Sequence, residues 1–397
     1  MMKKVLILLF ALIASFALSA CKKTDDKKII IALEATGDIP EKFQEQIDRF
    51  TEETGIEVEI QTYAGADNYE KAILGQIAGK QAPDVFWTDG GVKLREYAEA
   101  EAIQPLDDLV TMDLDNFEQS LLDAFEYDGK LYGIPKDYNT TVLFYNEDLL
   151  AGDVPTTIEA FKTQVEASTT GTGADKVYGF GMDPKLNYYL PFIITMGAEI
   201  INADGSINET ALDSAEHKEA LQMLKDMYDS DFATSPAIEN AGWDGELFGN
   251  GKVAMLYGGS WITGVIGEGL DAGIASLPVK NEDSSMLFVA GWVISSQTKN
   301  EEEAVKLIEF LSSDEELVQG NIDGLIGLPP TVSAMNELIE RKSNDPYLPV
   351  YREVVKNGFA FGSISPKFID NYNTAIENML YDEVSVNNTV TAIKNYK

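Results

Sequence analysis

The apolar positions fall into strand and helix patterns whose order along the chain is informative. KIIIAL (28–33) is a short continuous apolar run and reads as a buried strand. In the following PEKFQEQIDRFTEETG, Phe43, Ile47 and Phe50 recur at helical spacing. Pro40 fits the first turn of that helix and Gly55 its C-terminal cap. IEVEIQTY (56–63) alternates as a half-buried strand does, 69–80 reads as a helix, and DVFW (84–87) as a third strand. The order βαβαβ predicts a mainly parallel sheet with covering helices. In such sheets ligands bind beyond the carboxyl ends of the strands. Two loops lie at that end: EATGD (34–38) after the first strand, and TDGG (88–91) after the third.

Further on, GKLYGIPKDYNTTVLFYNEDLL (129–150) reads as a strand interrupted at Pro135, a polar segment 136–139 and a second strand. Helical periodicity recurs over 156–167, 187–198 and 213–230, with a turn at 202–207. FGNGKVAMLYGGSW (248–261) ends in glycines and a tryptophan, and FVAGWVISSQ (288–297) is a strand containing Gly291 and Trp292. NEEEAVKLIEFLSS predicts a helix with Ala304, Ile308 and Leu311 on one face. GLIGLPPT (324–331) reads as a crossing loop, and helices near 333–342 and 367–380 close the chain.

The N-terminus carries a different signal. MMKK precedes an apolar run from Val5 to Ala20. That run is short for a membrane span, which needs about 20 residues, and suits the core of a signal peptide. It ends in Leu18-Ser19-Ala20-Cys21, which looks like a bacterial lipobox. The expectation is a signal peptide over 1–20, lipidation of Cys21, and a polar tether over 21–27. An uncleaved anchor and an ordinary secretory signal are the other readings. Cys21 is the only cysteine, so no internal disulfide is available.

Length and charge narrow the function. A chain of 397 residues exceeds the usual single core, so two lobes are expected. The net charge of −36 argues against nucleic acid and against broad contact with an anionic membrane, both of which need clustered Lys and Arg. Catalytic groups are sparse. His217, in SAEHKEAL, is the only histidine and reads as an exposed helical position. The H-E-x-x-H, G-x-S-x-G, G-x-G-x-x-G and P-loop patterns are absent, so no metal, cofactor or catalytic residue is expected. DLDN (113–116) reads as a loop before a helix rather than a calcium site. Carboxylates are abundant, which leaves a surface glycosidase open as an alternative.

The four tryptophans, Trp87, Trp243, Trp261 and Trp292, carry the stronger signal. Three follow glycine-containing stretches, and Trp87 precedes TDGG. An indole face can stack on the C–H face of a sugar ring while a nearby Asp, Asn or Glu accepts hydrogen bonds from its hydroxyls. Core packing is the competing role, above all for Trp243, which lies in a loop before Phe248.

APDVFWTD (82–89), GKLYGIPKDYNTTVLFYNEDLL, FGNGKVAMLYGGSW, AGWVISSQTKNEEEAVKLIEFLSS (290–313) and GLPPT (327–331) occur in this order behind the lipobox. In these stretches the chain resembles the extracellular solute-binding proteins of bacterial ABC importers, family 1, the maltodextrin/oligosaccharide-binding lipoprotein class. The resemblance implies a two-lobed α/β fold, the type II periplasmic-binding-protein fold, with three crossings between lobes near 136–140, 279–288 and 325–331. The first lobe would comprise 28–136 and 288–326, and the second 140–280 and 331–397. It implies a carbohydrate ligand in the cleft, delivery to ABC permease subunits, no chemistry on the ligand, and a monomer held at the membrane by its lipid. Carried over by position, it suggests ligand contacts from Glu34, Thr36, Asp38, Trp87, Asp89, Asp137, Tyr138, Asn139, Tyr188, Trp243, Trp261, Gly291 and Trp292. Either Asp137 or Asn139 would supply the polar contact at the first crossing. Phe359 and Phe361 would border the cleft. The basic residue that often accompanies the first-loop acid is missing. A polyamine or other non-sugar solute remains an alternative ligand, because Asp, Glu and Trp also suit a cation.

Overall fold

The computed structural model describes residues 28–35, 38–202, 206–267, 269–360 and 364–395. The expected signal peptide, Cys21, the tether up to residue 27, Thr36 and Phe361 lie outside them. Twelve strands occur among the described residues: β1 Lys28–Glu34, β2 Glu57–Tyr63, β3 Val85–Asp89, β4 Glu126–Tyr127, β5 Lys130–Leu131, β6 Ile134–Asn146, β7 Tyr178–Gly181, β8 Ala233–Thr234, β9 Val253–Gly259, β10 Ala272–Ala275, β11 Ser285–Ile294 and β12 Gly358–Ala360.

Apart from the β4–β5 ribbon, the strands follow the order β2-β1-β3-β11-β6-β9-β7-β8, with β10 beside β6 and β12 beside β11. The outer strands pair in parallel, β2-β1-β3 at one end and β9-β7-β8 at the other. The central pairs β3-β11, β11-β6 and β6-β9 are antiparallel. Parallel strands need helical crossovers, and the expected helices supply them. The helix Glu41–Thr54 ends at Gly55, whose φ of 71° is left-handed and whose N–H bonds the Thr51 carbonyl at 2.9 Å.

Two buried clusters fill the layers. One gathers Phe50, Phe86, Phe125, Trp292 and Leu307, and the other Phe161, Phe192, Tyr257 and Met379. The first cluster also takes in Phe144, Phe248 and the helices Val332–Arg341 and Leu348–Val354, so packing is continuous along β6 and β9.

The structure changes two expectations. β6 is one strand of 13 residues, not two interrupted at Pro135. Pro135 is the second residue of that strand and lies at an irregularity in its pairing with β11, where a missing N–H is tolerated. His217 is not exposed. It is fully buried in the helix Ala215–Asp229, with Nδ1 2.7 Å from the Leu212 carbonyl and Nε2 2.8 Å from the Tyr372 hydroxyl. Burial lowers its pKa. The segment 113–116 is the expected loop, a single 3₁₀ turn whose Asp113 side chain accepts from the Asp115 N–H at 3.2 Å.

Candidate functional site

The site forms where β3, β11 and β6 run side by side. In the β6–β11 pair, Asp137 faces Ala290 and Pro135 faces Gly291, so Lys136 is an extra residue on β6. Such a bulge breaks the in-out alternation and re-aims side chains. Lys136, Asp137 and Asn139 all line one cavity of about 320 Å³, with Glu34, Trp87, Asp89, Phe288 and Ala290. Glu34, Trp87, Asp89, Asp137 and Asn139, all expected contacts, are thus brought together. After Asp89 the chain turns through Gly91, whose φ of 72° is left-handed, and passes close to Ala124, where a Cβ on Gly90 would come within 2.8 Å of the alanine's own Cβ.

Trp87 is less free than the sequence suggests. Its ring stacks on Tyr69 with centroids 4.9 Å apart and planes 12° apart. The Tyr69 hydroxyl donates to the Trp87 carbonyl at 2.8 Å and accepts from its N–H at 3.0 Å. Trp292 is directly opposite Trp87 on the neighbouring strand and is buried. The Lys136 ammonium lies 5.9 Å from the Trp87 ring centroid and 5.8 Å from that of Trp292, and is ion-paired with Asp137. β6 thus places a basic group, Lys136, in the cavity that Glu34 lines. A recess of about 120 Å³ shares Glu34, Trp87 and Lys136 with the main cavity and continues past Trp292 to Phe43 and Ile326.

Asp89 keeps exposed surface but stands between dense walls. Partial loss of hydration raises its pKa; Lys136 opposes this and the like charge of Asp137 adds to it.

The turn that follows β9, residues 260–265, supplies a second wall. Ser260 Oγ donates to Asn139 Oδ1 at 2.9 Å and accepts from the Thr140 N–H at 3.3 Å. Trp261 remains 39% exposed and meets Phe288 edge-on, with centroids 5.2 Å apart at 68°. Asn139, Ser260 and Trp261 also line a larger cavity of about 760 Å³ that reaches Arg341, Asp345 and Tyr351. Asn139 therefore stands where the two cavities meet. The segment around Leu328 joins here: Tyr138 and Leu328 exchange backbone hydrogen bonds of 3.0 and 2.9 Å.

Other expected residues lie elsewhere. Tyr138 is 1% exposed and offers a ligand no side-chain surface, because its ring points into the core. Gly291 accommodates Phe125, which a Cβ there would meet at 2.4 Å, so its small size serves packing rather than ligand approach. Asp38 lines a surface groove with Glu41, Gln44 and Thr62, not the cavity that Glu34 lines. Tyr188 is half-buried against the second cluster, and neighbouring Asp244 and Asp183 add to the burial that raises its pKa. Trp243 is 39% exposed and folds over Gly245, outside the cavities described above. Phe359 is half-buried on β12. Sequence reasoning missed Lys136, Phe288 and Ser260. Lys136 and Ser260 stand inside segments it singles out, but nothing in their spacing reveals the bulge or the side-chain hydrogen bond. Among the described residues, no group of three or more His, Cys, Asp or Glu could hold a metal ion, and no helix is long and apolar enough to cross a membrane.

Comparison with known proteins agrees with this architecture. A binding protein of Brucella abortus (strain 2308) is 29% identical over 234 residues, 55% of this chain and 56% of its own length, so the match spans just over half of that relative. The maltodextrin-binding protein of Bacillus subtilis (strain 168) is 24% identical over 339 residues, 79% of this chain and 78% of its own. An ABC substrate-binding protein from Listeria monocytogenes, solved in complex with cycloalternan, superposes with a TM-score of 0.76 over 94% of this chain and 98% of its own, at 24% identity. That superposition establishes the shared two-lobed periplasmic-binding fold. The family model of the bacterial extracellular solute-binding proteins matches residues 45–349, more than half of the sequence, and the chain belongs to that family.

Proposed function

We propose that the protein is the substrate-binding lipoprotein of an ABC importer and that it captures a carbohydrate in the cleft around Asn139. The observation that carries this reading is the pairing of an exposed indole face, Trp261, with hydrogen-bonding groups on β6 and β3 at one seam: Asn139, Asp137 and Asp89. Carbohydrate recognition needs an apolar plate for the ring face and fixed acceptors for the hydroxyls. The names of relatives support it as well, since maltodextrin binding is stated for the Bacillus subtilis protein. The ligand would bridge the two lobes, favour the closed form, and leave chemically unchanged for the permease. Glu34, Trp87, Asp89, Asp137, Asn139 and Trp261 are the proposed contacts. Cys21 would carry the lipid that holds a monomer on the outer face of the cell membrane.

The test is a titration of the soluble protein, starting after Cys21, with mono- and oligosaccharides, read by tryptophan fluorescence and calorimetry. Saturable binding of one sugar class with unchanged sugar recovered supports the reading. Absence of binding across the panel overturns the ligand class, and hydrolysis of a bound oligosaccharide overturns the transport role.

A further inference from the structure

The position of Lys136 goes beyond the capture of a sugar. Its ammonium lies 5.9 and 5.8 Å from two indole centroids, those of Trp87 and Trp292. It is ion-paired with Asp137, and Glu34 and Asp89 line the same cavity. Aromatic rings and carboxylates around one point are what an alkylammonium ligand seeks. Here the protein's own side chain occupies that point. Its aminobutyl arm stands at the boundary between the 320 Å³ cavity and the 120 Å³ recess, lining both. The other acid of the recess, Glu316, is already engaged by Arg49 at 2.6 Å and Gln46 at 2.9 Å.

We propose that Lys136 is a specificity-determining residue: a built-in cation that fills the aromatic–acidic slot and keeps cationic solutes out of the cleft. The proposal rests on the reading of this cleft as the ligand site. It explains how a strongly acidic protein with tryptophans in its cleft can avoid binding polyamines, which its field would otherwise concentrate. The bulge is essential, because regular alternation would not place Lys136 and Asp137 on the same cavity.

Removing the side chain should turn the slot into a cation site. Lys136→Ala leaves a space shaped for a butylammonium ion, bordered by Glu34, Asp89 and Asp137 and by the two indoles. The probes are n-butylammonium and spermidine, with n-butanol as the uncharged control, titrated at low ionic strength and followed by tryptophan fluorescence and calorimetry. The expected result is saturable binding of both cations to Lys136→Ala, at least about tenfold tighter than to the native protein. Binding should weaken with added salt, and butanol should not bind. Lys136→Ser is the second variant, since its hydroxyl can satisfy Asp137 if the alanine form does not fold. Lys136→Arg should keep the exclusion. Two results overturn the proposal: spermidine binding to the native cleft as tightly as to Lys136→Ala, or no cation binding by folded Lys136→Ala and Lys136→Ser. These arms are independent of the sugar titration. A failure of sugar binding with cation binding intact would remove the proposed function and leave the slot standing.

Discussion

Trp87 and Trp261 differ in what covers them, and that difference predicts different responses to substitution. Trp87 has Tyr69 stacked on it and Lys136 near its ring, whereas Trp261 lies over Gly259 and keeps 39% of its surface exposed. Trp261→Ala should therefore cost ligand affinity about tenfold or more while leaving thermal stability nearly unchanged. Paired calorimetric titration and thermal unfolding check both halves, and an unaltered affinity would move the stacking role elsewhere. Asp244 has the opposite character. It is 6% exposed, its Oδ1 accepts from the Gly245 N–H at 3.0 Å, and its Oδ2 is buried without a partner. Burial raises its pKa, partly offset by that N–H, with Asp183 adding like charge. A folded-state pKa above the unfolded value of about 3.8 means that the folded form binds the proton more tightly. Stability therefore falls as pH rises from the unfolded pKa through the folded one, and the loss persists at neutrality. Asp244→Asn should raise the melting temperature at pH 7 by on the order of 1–3 °C, and the gain should vanish below pH 3.8. Melting curves across that range decide it; a gain independent of pH would locate the effect in packing instead.

At the scale of elements, most of the framework was legible in the sequence. The run at 28–33, the helix closed by Gly55 and the alternation at 56–63 each appear close to where the pattern put them, although β2 is half-buried along most of its length rather than buried on one face. The failures have particular causes. Pro135 reads as a strand breaker, yet it sits at a strand start where its missing N–H does little harm. His217 looks exposed because its neighbours Glu216, Lys218 and Glu219 are charged, yet it points across to the helix Pro366–Tyr381. The site was half legible. Tryptophans and acids at strand ends could be found, but Lys136 depended on a bulge and Phe288 on the partner of a distant ring. The buried His217–Tyr372 contact yields a prediction at this level. Tyr372→Phe removes the hydroxyl partner of Nε2 and leaves a buried polar atom unpaired, which should lower stability by about 1–3 kcal/mol without changing ligand affinity. Urea unfolding monitored by circular dichroism measures it, and a loss of affinity at unchanged stability would contradict a purely structural role.

At the scale of the whole molecule, the question is how a ligand at one seam can change the shape of a chain of 397 residues. β11 pairs with β3 from one end of the sheet order, β6 pairs with β9 from the other, the two pair with each other, and the segment at Leu328 bonds to Tyr138 beside them. We propose these three segments as the crossings of a hinge. Trp87 on β3 and Trp261 after β9 stand on opposite sides of the β11–β6 pair. A ligand touching both sides gains contacts only when they approach, so its binding energy shifts the population toward the closed form. Small-angle scattering should show a smaller radius of gyration at saturating sugar than without it. Trp261→Ala should need more sugar to reach that value, because the variant loses affinity rather than the ability to close. Saturation with no change in radius would mean that the ligand rests on one wall only, and the paired strands β6 and β11 would then be a rigid support instead of a hinge.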